Sequence, residues 1–184
     1  MLDIIKNNQI ATTQNSEPGT PNSIAPTADE FYKRNIEKEG EDKLLQFLSF
    51  IVDDEEYALE LSETSEVIKM REITEVPHAP LFIAGIISLR GEIIPVISLQ
   101  KRLGLKERDA TAETRIAIAS YADIKVGLMA DRIMGVLRID PEEIESAPPI
   151  HTEVGIEFIR GVVHHQGRLI ILLNLPTLFK MEEA

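Results

Sequence analysis

From Leu44 onward the chain is written in short apolar runs broken by turn residues, and the runs are shorter than a helix needs. Leu44–Val52 and Tyr57–Leu61 flank Asp53-Asp54-Glu55-Glu56, which predicts a hairpin turn between two strands. Ile86–Leu89 and Ile93–Ile97 flank Arg90-Gly91-Glu92 in the same way. Further strands are expected at Arg115–Tyr121, Lys125–Met129, Val136–Ile139, Ile159–His164 and Arg168–Leu173. This spacing is that of a sandwich or barrel. Helical signals are few. Ser62 is suited to cap a helix running to about Lys69, Leu81–Ala84 and Gln100–Leu103 each make a turn, and Pro176 stands at a first-turn position of a terminal helix.

The pattern is written twice. At an offset of 76, Phe82, Ile83, Gly85, Gly91, Ile94 and Leu99 meet identical residues at Phe158, Ile159, Gly161, Gly167, Ile170 and Leu175. Six identities in 18 positions exceed the one or two that average composition gives, and five further pairs exchange one aliphatic residue for another. Upstream, at an offset of 69, Gln46–Phe50 matches Arg115–Ala119, and Tyr57–Ile68 matches Val126–Leu137 more loosely. Two copies of one β unit are therefore expected, the first over about residues 44–105 and the second over about 113–180. Gly91 and Gly167 sit where a tight hairpin favours positive φ, and Gly85 and Gly161 stand where close backbone approach is expected.

Core demands are shared between copies, so their differences point to function. The largest is Ser88-Leu89-Arg90 against His164-His165-Gln166. Arg90 reads either as a solvated turn residue or as a guanidinium held on a hairpin to pair with a carboxylate.

Residues 7–30 are rich in Asn, Thr, Ser, Gln and Pro and cannot bury enough apolar surface to offset their ordering entropy. Phe31–Lys43 is charged and suited to begin a short helix, which Gly40 stops, so residues 1–43 are expected to be a disordered or linker-like extension and 44–184 the folded domain. The chain carries 19 basic and 31 acidic residues, a net charge of −12, with no basic cluster. Nucleic acid and anionic membranes are thereby disfavoured as partners. Cysteine is absent, which excludes disulfides and thiolate zinc sites. The longest apolar run, Leu169–Leu173, is far below the roughly 20 residues of a membrane helix, and the first residues lack a secretory signal. A cytoplasmic protein without direct membrane insertion is expected.

Candidate chemistry is sparse. His164 and His165 are adjacent on a strand and point to opposite faces, poorly placed to grip one metal, and His78 and His151 lie in loops. No phosphate-binding loop, nucleophile elbow or His-Glu-x-x-His helix occurs, and Asp53-Asp54 and Glu142-Glu143 read as solvated turns. No catalytic residue, metal or cofactor is expected.

The run Phe82-Ile83-Ala84-Gly85-Ile86-Ile87-Ser88-Leu89-Arg90-Gly91-Glu92-Ile93-Ile94-Pro95-Val96-Ile97-Ser98-Leu99 is joined by Tyr57, Glu66-Val67-Ile68, Val76-Pro77-His78-Ala79-Pro80, Gly127-Leu128 with Asp131, and Phe158-Ile159-Arg160-Gly161. In order and spacing these resemble the signature of the CheW family of chemotaxis coupling proteins. The resemblance implies a mainly β fold of two intertwined SH3-like five-stranded barrels, with a few short helices and a C-terminal helix. It also implies a non-enzymatic adaptor that couples the regulatory domain of a chemotaxis histidine kinase to the cytoplasmic tip of methyl-accepting receptors, recruited to membrane-associated arrays. The receptor is then expected in an apolar groove between the barrels, at Glu66 and Arg90, with Thr64, Val67 and Ile68 beside them. Kinase contact is assigned to the second barrel near Leu128 and Met129. Two positions depart from the family's pattern: Ser88 replaces an Asn, and Thr64 a Val. Ser88 loses the amide's bidentate reach, and Thr64 brings a hydroxyl to an apolar place. The competing function class is a ligand-sensing regulatory domain with a small-molecule site at the barrel seam; an enzyme would need a convergent catalytic set that the sequence does not supply.

Overall fold

The computed structural model describes residues 43–146 and 154–180. The expected extension (Lys43 apart), the helix suggested within 31–43, and His151 lie outside the described residues.

Ten strands form: β1 Leu45–Val52, β2 Glu55–Glu60, β3 Thr64–Lys69, β4 Ile83–Leu89, β5 Glu92–Ser98, β6 Arg115–Tyr121, β7 Ile124–Ala130, β8 Arg132–Ile139, β9 Ile159–His165 and β10 Arg168–Leu173. Short helices α1 Leu99–Arg102 and α2 Leu175–Leu178 follow β5 and β10, and Ser98 caps α1 by accepting from the Lys101 amide. The repeated hairpins are two-residue turns with both central residues at positive φ: Arg90 and Gly91 at 51° and 84°, Gln166 and Gly167 at 52° and 76°. This is the geometry that matches the twist of paired strands. No helix among the described residues is long and apolar enough to cross a membrane.

Each copy supplies five strands, yet neither sheet belongs to one copy. One sheet has the order β3-β6-β7-β5-β4 and the other β8-β1-β2-β10-β9. Since β6 to β10 repeat β1 to β5, each sheet takes two strands from one copy and three from the other. The exchange is joined by the parallel pairs β5 with β7 and β10 with β2. The two sheets are here called barrel I and barrel II. Each is closed by one bridge between its edge strand and the segment following the opposite edge. Thr74 and Ile86 exchange both backbone hydrogen bonds in barrel I, at 2.9 and 2.8 Å, and Glu145 and Val162 do so in barrel II, at 2.9 Å each. Gly85 and Gly161 lie beside these bridges.

Three apolar clusters follow from this topology. Ile87, Leu89, Ile94, Val96, Ile116 and Ile118 fill barrel I; Phe47, Ala58, Ile139, Val163, Ile170 and Leu172 fill barrel II. The largest cluster lies in the seam, where Leu48, Phe50, Tyr57, Leu59, Leu99, Leu128, Leu173 and Leu175 pack together with their neighbours. At the junction of the copies the Arg102 guanidinium carbon stands 4.1 Å from the Phe82 ring centroid and 4.9 Å from that of its repeat partner Phe158. The same group donates to the carbonyls of Thr177 and Leu178 in and at the end of α2.

Two sequence expectations are corrected here. Ser62–Lys69 is not a helix: Leu61–Glu63 is one 3-10 turn and Thr64–Lys69 is the edge strand β3. Glu55 and Glu56 belong to β2 rather than to the turn, and Glu56 is buried. Asp53 and Asp54 remain in that turn, both paired with Arg108, whose guanidinium holds the Asp54 carboxyl below its ordinary range.

Candidate functional site at the mouth of barrel I

Strand β3 is bulged at Ser65: Thr64 faces Ala119 and Glu66 faces Ile118, leaving Ser65 unpaired in the ladder. A bulge re-aims the side chains around it. Ser65 Oγ donates to the Ile118 carbonyl at 3.1 Å, and across the bulge the register puts Glu66 and Ile68 on the face of Ile118 and Ile116, inside barrel I, and Thr64 and Val67 on the face of Ala119 and Ala117. Glu66 is thus a carboxylate on the inner face of the barrel's edge.

Arg90 approaches from the β4–β5 turn at the other edge. Its Nη2 donates to Glu66 Oε2 at 3.1 Å, with the arginine side chain 78% exposed and the glutamate 28%. A second bridge lies next to it, Lys125 Nζ to Glu92 Oε2 at 2.6 Å. Between the two bridges the barrel is open. A cavity of about 490 Å³ is lined by Ser65, Glu66, Leu89, Arg90, Glu92, Ile94, Ile118 and Lys125, so its floor is the barrel's own core.

The sequence-predicted residues are therefore partly united. Glu66 and Arg90 form one site, Ile68 shares the Glu66 face of β3, and Thr64, half-buried, and Val67, exposed, lie on the opposite face. The interior of the seam is filled by packed side chains, and the opening beside Glu66 and Arg90 is the mouth of barrel I. Leu128 and Met129, expected in the second barrel, lie on β7 in the sheet of barrel I, because the copies exchange strands; Leu128 is fully buried in the seam, and Met129 is half-buried against the barrel I core. Ser88 is exposed, and its carbonyl accepts from Arg71 Nη1 at 3.0 Å. Sequence reasoning missed Glu92, Lys125 and Ser65. The first two are brought together by the parallel pairing of β5 with β7, which the sequence pattern does not reveal.

Thr64 shows what its hydroxyl costs. Its Oγ1 is buried and has no hydrogen-bond partner among the described residues. An unsatisfied buried hydroxyl is destabilising, and valine has nearly the same shape. Thr64→Val is expected to stabilise the chain by about 1 kcal/mol in urea denaturation; an unchanged or lowered midpoint would show that the hydroxyl is satisfied in solution.

A CheW-like domain model matches residues 46–183. The chemotaxis protein CheW of Treponema pallidum is 32% identical over 158 residues, covering 83% of this chain and 92% of that protein. CheW of Bacillus subtilis is 37% identical over 142 residues, 76% of this chain and 89% of that protein. The protein FrzA of Myxococcus xanthus is 30% identical over 137 residues, 73% and 85% of the two chains. Among solved structures, the crystal structure of the scaffolding protein TtCheW from Thermoanaerobacter tengcongensis matches with a TM-score of 0.71 and 37% identity, over 76% of this chain and 90% of that one.

Proposed function

The chain belongs to the CheW-like domain family and is an adaptor of chemosensory signalling, and from this premise we propose that the mouth of barrel I receives the cytoplasmic tip of a methyl-accepting receptor while the rest of the domain holds a chemotaxis histidine kinase. The observation that carries the assignment is the Arg90–Glu66 bridge. It spans the two edges of barrel I, and its repeat positions in barrel II are Gln166 and Gly135, which form no such bridge. A feature kept in one copy alone is not demanded by the fold. As an exposed pair it adds at most about 1 kcal/mol to stability, so recognition is the better account of it.

Thr64, Val67 and Ile68 supply the neighbouring receptor surface on β3. The kinase's regulatory domain is assigned to barrel II. Leu128 and Met129 face inward, and the apolar side chains that barrel II does expose are Met134, Val136 and Leu169. The adaptor works in the cytoplasm and is recruited to receptor arrays through these contacts.

Arg90→Glu and Glu66→Arg are each expected to weaken binding to a soluble receptor cytoplasmic fragment by about tenfold or more, and the double exchange to recover part of the loss. Binding to the kinase regulatory domain should persist in all three. Receptor binding left unchanged by both single reversals would overturn the assignment.

A further inference from the structure

The two barrel mouths are built at equivalent positions and differ, besides the Arg90–Glu66 bridge, in a second respect that the fold does not require. In barrel I the inner positions are Ile118, Lys125 and Glu92. Their repeat counterparts in barrel II are Ser49, Glu56 and Arg168. There Ser49 is completely buried and its hydroxyl donates to Glu56, itself buried, whose other oxygen accepts from Arg168 at 2.9 Å. The mouth of barrel II is thus filled by a chain of three polar side chains turned inward. The groove beside Glu56 and Arg168 is lined by Ile51, Met134, Leu169 and Ile171, none of which belongs to the barrel II core. In barrel I the same ion pair has reversed polarity and is half exposed, and the space that the inward carboxylate would take is the cavity reaching Leu89, Ile94 and Ile118.

We propose that the mouth of barrel I is a socket for one protruding apolar side chain of the bound receptor segment, which seats on Leu89, Ile94 and Ile118 between the Arg90–Glu66 and Lys125–Glu92 bridges. The inference rests on the receptor reading above. The rim carries two cations and two anions, each already paired, so a charged side chain would lose hydration there without finding a free counter-charge. An apolar side chain is itself taken out of water against Leu89, Ile94 and Ile118, which are already buried, and leaves both bridges intact. Glu92 and Lys125 then act as specificity residues: they keep the second wall of the socket upright and reject a charged occupant.

Two variants close the socket by different routes. The triple exchange Ile118→Ser, Lys125→Glu, Glu92→Arg transplants the barrel II filling. Ser65→Trp fills the opening from an exposed position and disturbs no core side chain. The soluble receptor cytoplasmic fragment serves as the probe, with kinase regulatory domain binding and the thermal unfolding curve as controls. Both variants are expected to lose receptor affinity by about tenfold or more while the controls stay near native. If the triple variant unfolds, Ser65→Trp decides alone. Receptor affinity within about threefold of native for folded Ser65→Trp, with Arg90→Glu still deficient, would overturn the socket and leave the receptor reading standing. Receptor binding unaffected by Arg90→Glu as well would overturn both.

Discussion

Gly85→Ala is expected to cost on the order of 4 kcal/mol, a large share of the stability of an ordinary domain. Two penalties meet at this residue. Its φ is 146°, where an L side chain is strained, and a Cβ would lie 2.3 Å from the Thr74 carbonyl oxygen. That oxygen cannot retreat, because it accepts from the Ile86 amide at 2.8 Å in the bridge that closes barrel I. The other two positions of the repeat separate the terms. At Gly161 the φ is not in the strained region, and the Cβ would meet the Glu145 carbonyl at 2.7 Å, so overpacking alone should cost about 2 kcal/mol. At Gly91 the φ is 84° but nothing lies within 4 Å, so strain alone should cost about 1 kcal/mol. Urea denaturation of the three alanine variants should give the order Gly85, Gly161, Gly91. Equal losses at Gly85 and Gly91 would show that the closing bridge yields and that close approach is not what the paired glycines serve.

The same repeat explains how much of the fold was legible beforehand. Strand positions were readable wherever a short apolar run is bounded by turn residues, as in β5 and β10, and the glycine roles followed from turn chemistry. What failed was β3. Its half-buried positions are Thr64, Glu66 and Ile68 and its exposed ones Ser65, Val67 and Lys69, and a bulge at Ser65 breaks the pleat, so polarity does not follow burial. A carboxylate turned inward to meet Arg90 and a valine turned outward erase the strand signal, and Ser62 then suggests a helix cap. The corrective was present, since Tyr57–Ile68 aligns with Val126–Leu137 and Val136–Ile139 was read as a strand. Glu56 failed for a related reason: beside Asp53, Asp54 and Glu55 it looks like one more solvated acid, and only pairing across to Ile170 and Arg168 makes it internal. The exchange of strands between copies was carried by the family resemblance and not by the pattern, because hydrophobic alternation says which face a residue takes and not which strand lies beside it.

Arg102→Ala is expected to cost about 3 kcal/mol, the second largest loss of any single change considered for this fold. By the offset of 76 its counterpart is Leu178, so one copy places a cation where the other places a buried leucine. That substitution suits its surroundings. The guanidinium lies over both equivalent rings, of Phe82 and Phe158, and donates to Leu178 and Thr177 carbonyls at 3.2 and 3.0 Å. It therefore ties the end of the second copy to the phenylalanines of both. Two replacements divide its contribution. Arg102→Met keeps the apolar stem against the rings and removes the donors; Arg102→Lys keeps the charge without the planar fork that serves two carbonyls while stacking. Both are expected to fall between native and alanine in chemical denaturation, with faster amide exchange over residues 175–179 than in the native chain. If methionine proved as stable as arginine, water would be satisfying the α2 carbonyls at no cost, and the junction of the copies would be held by apolar contact with Phe82 and Phe158 alone.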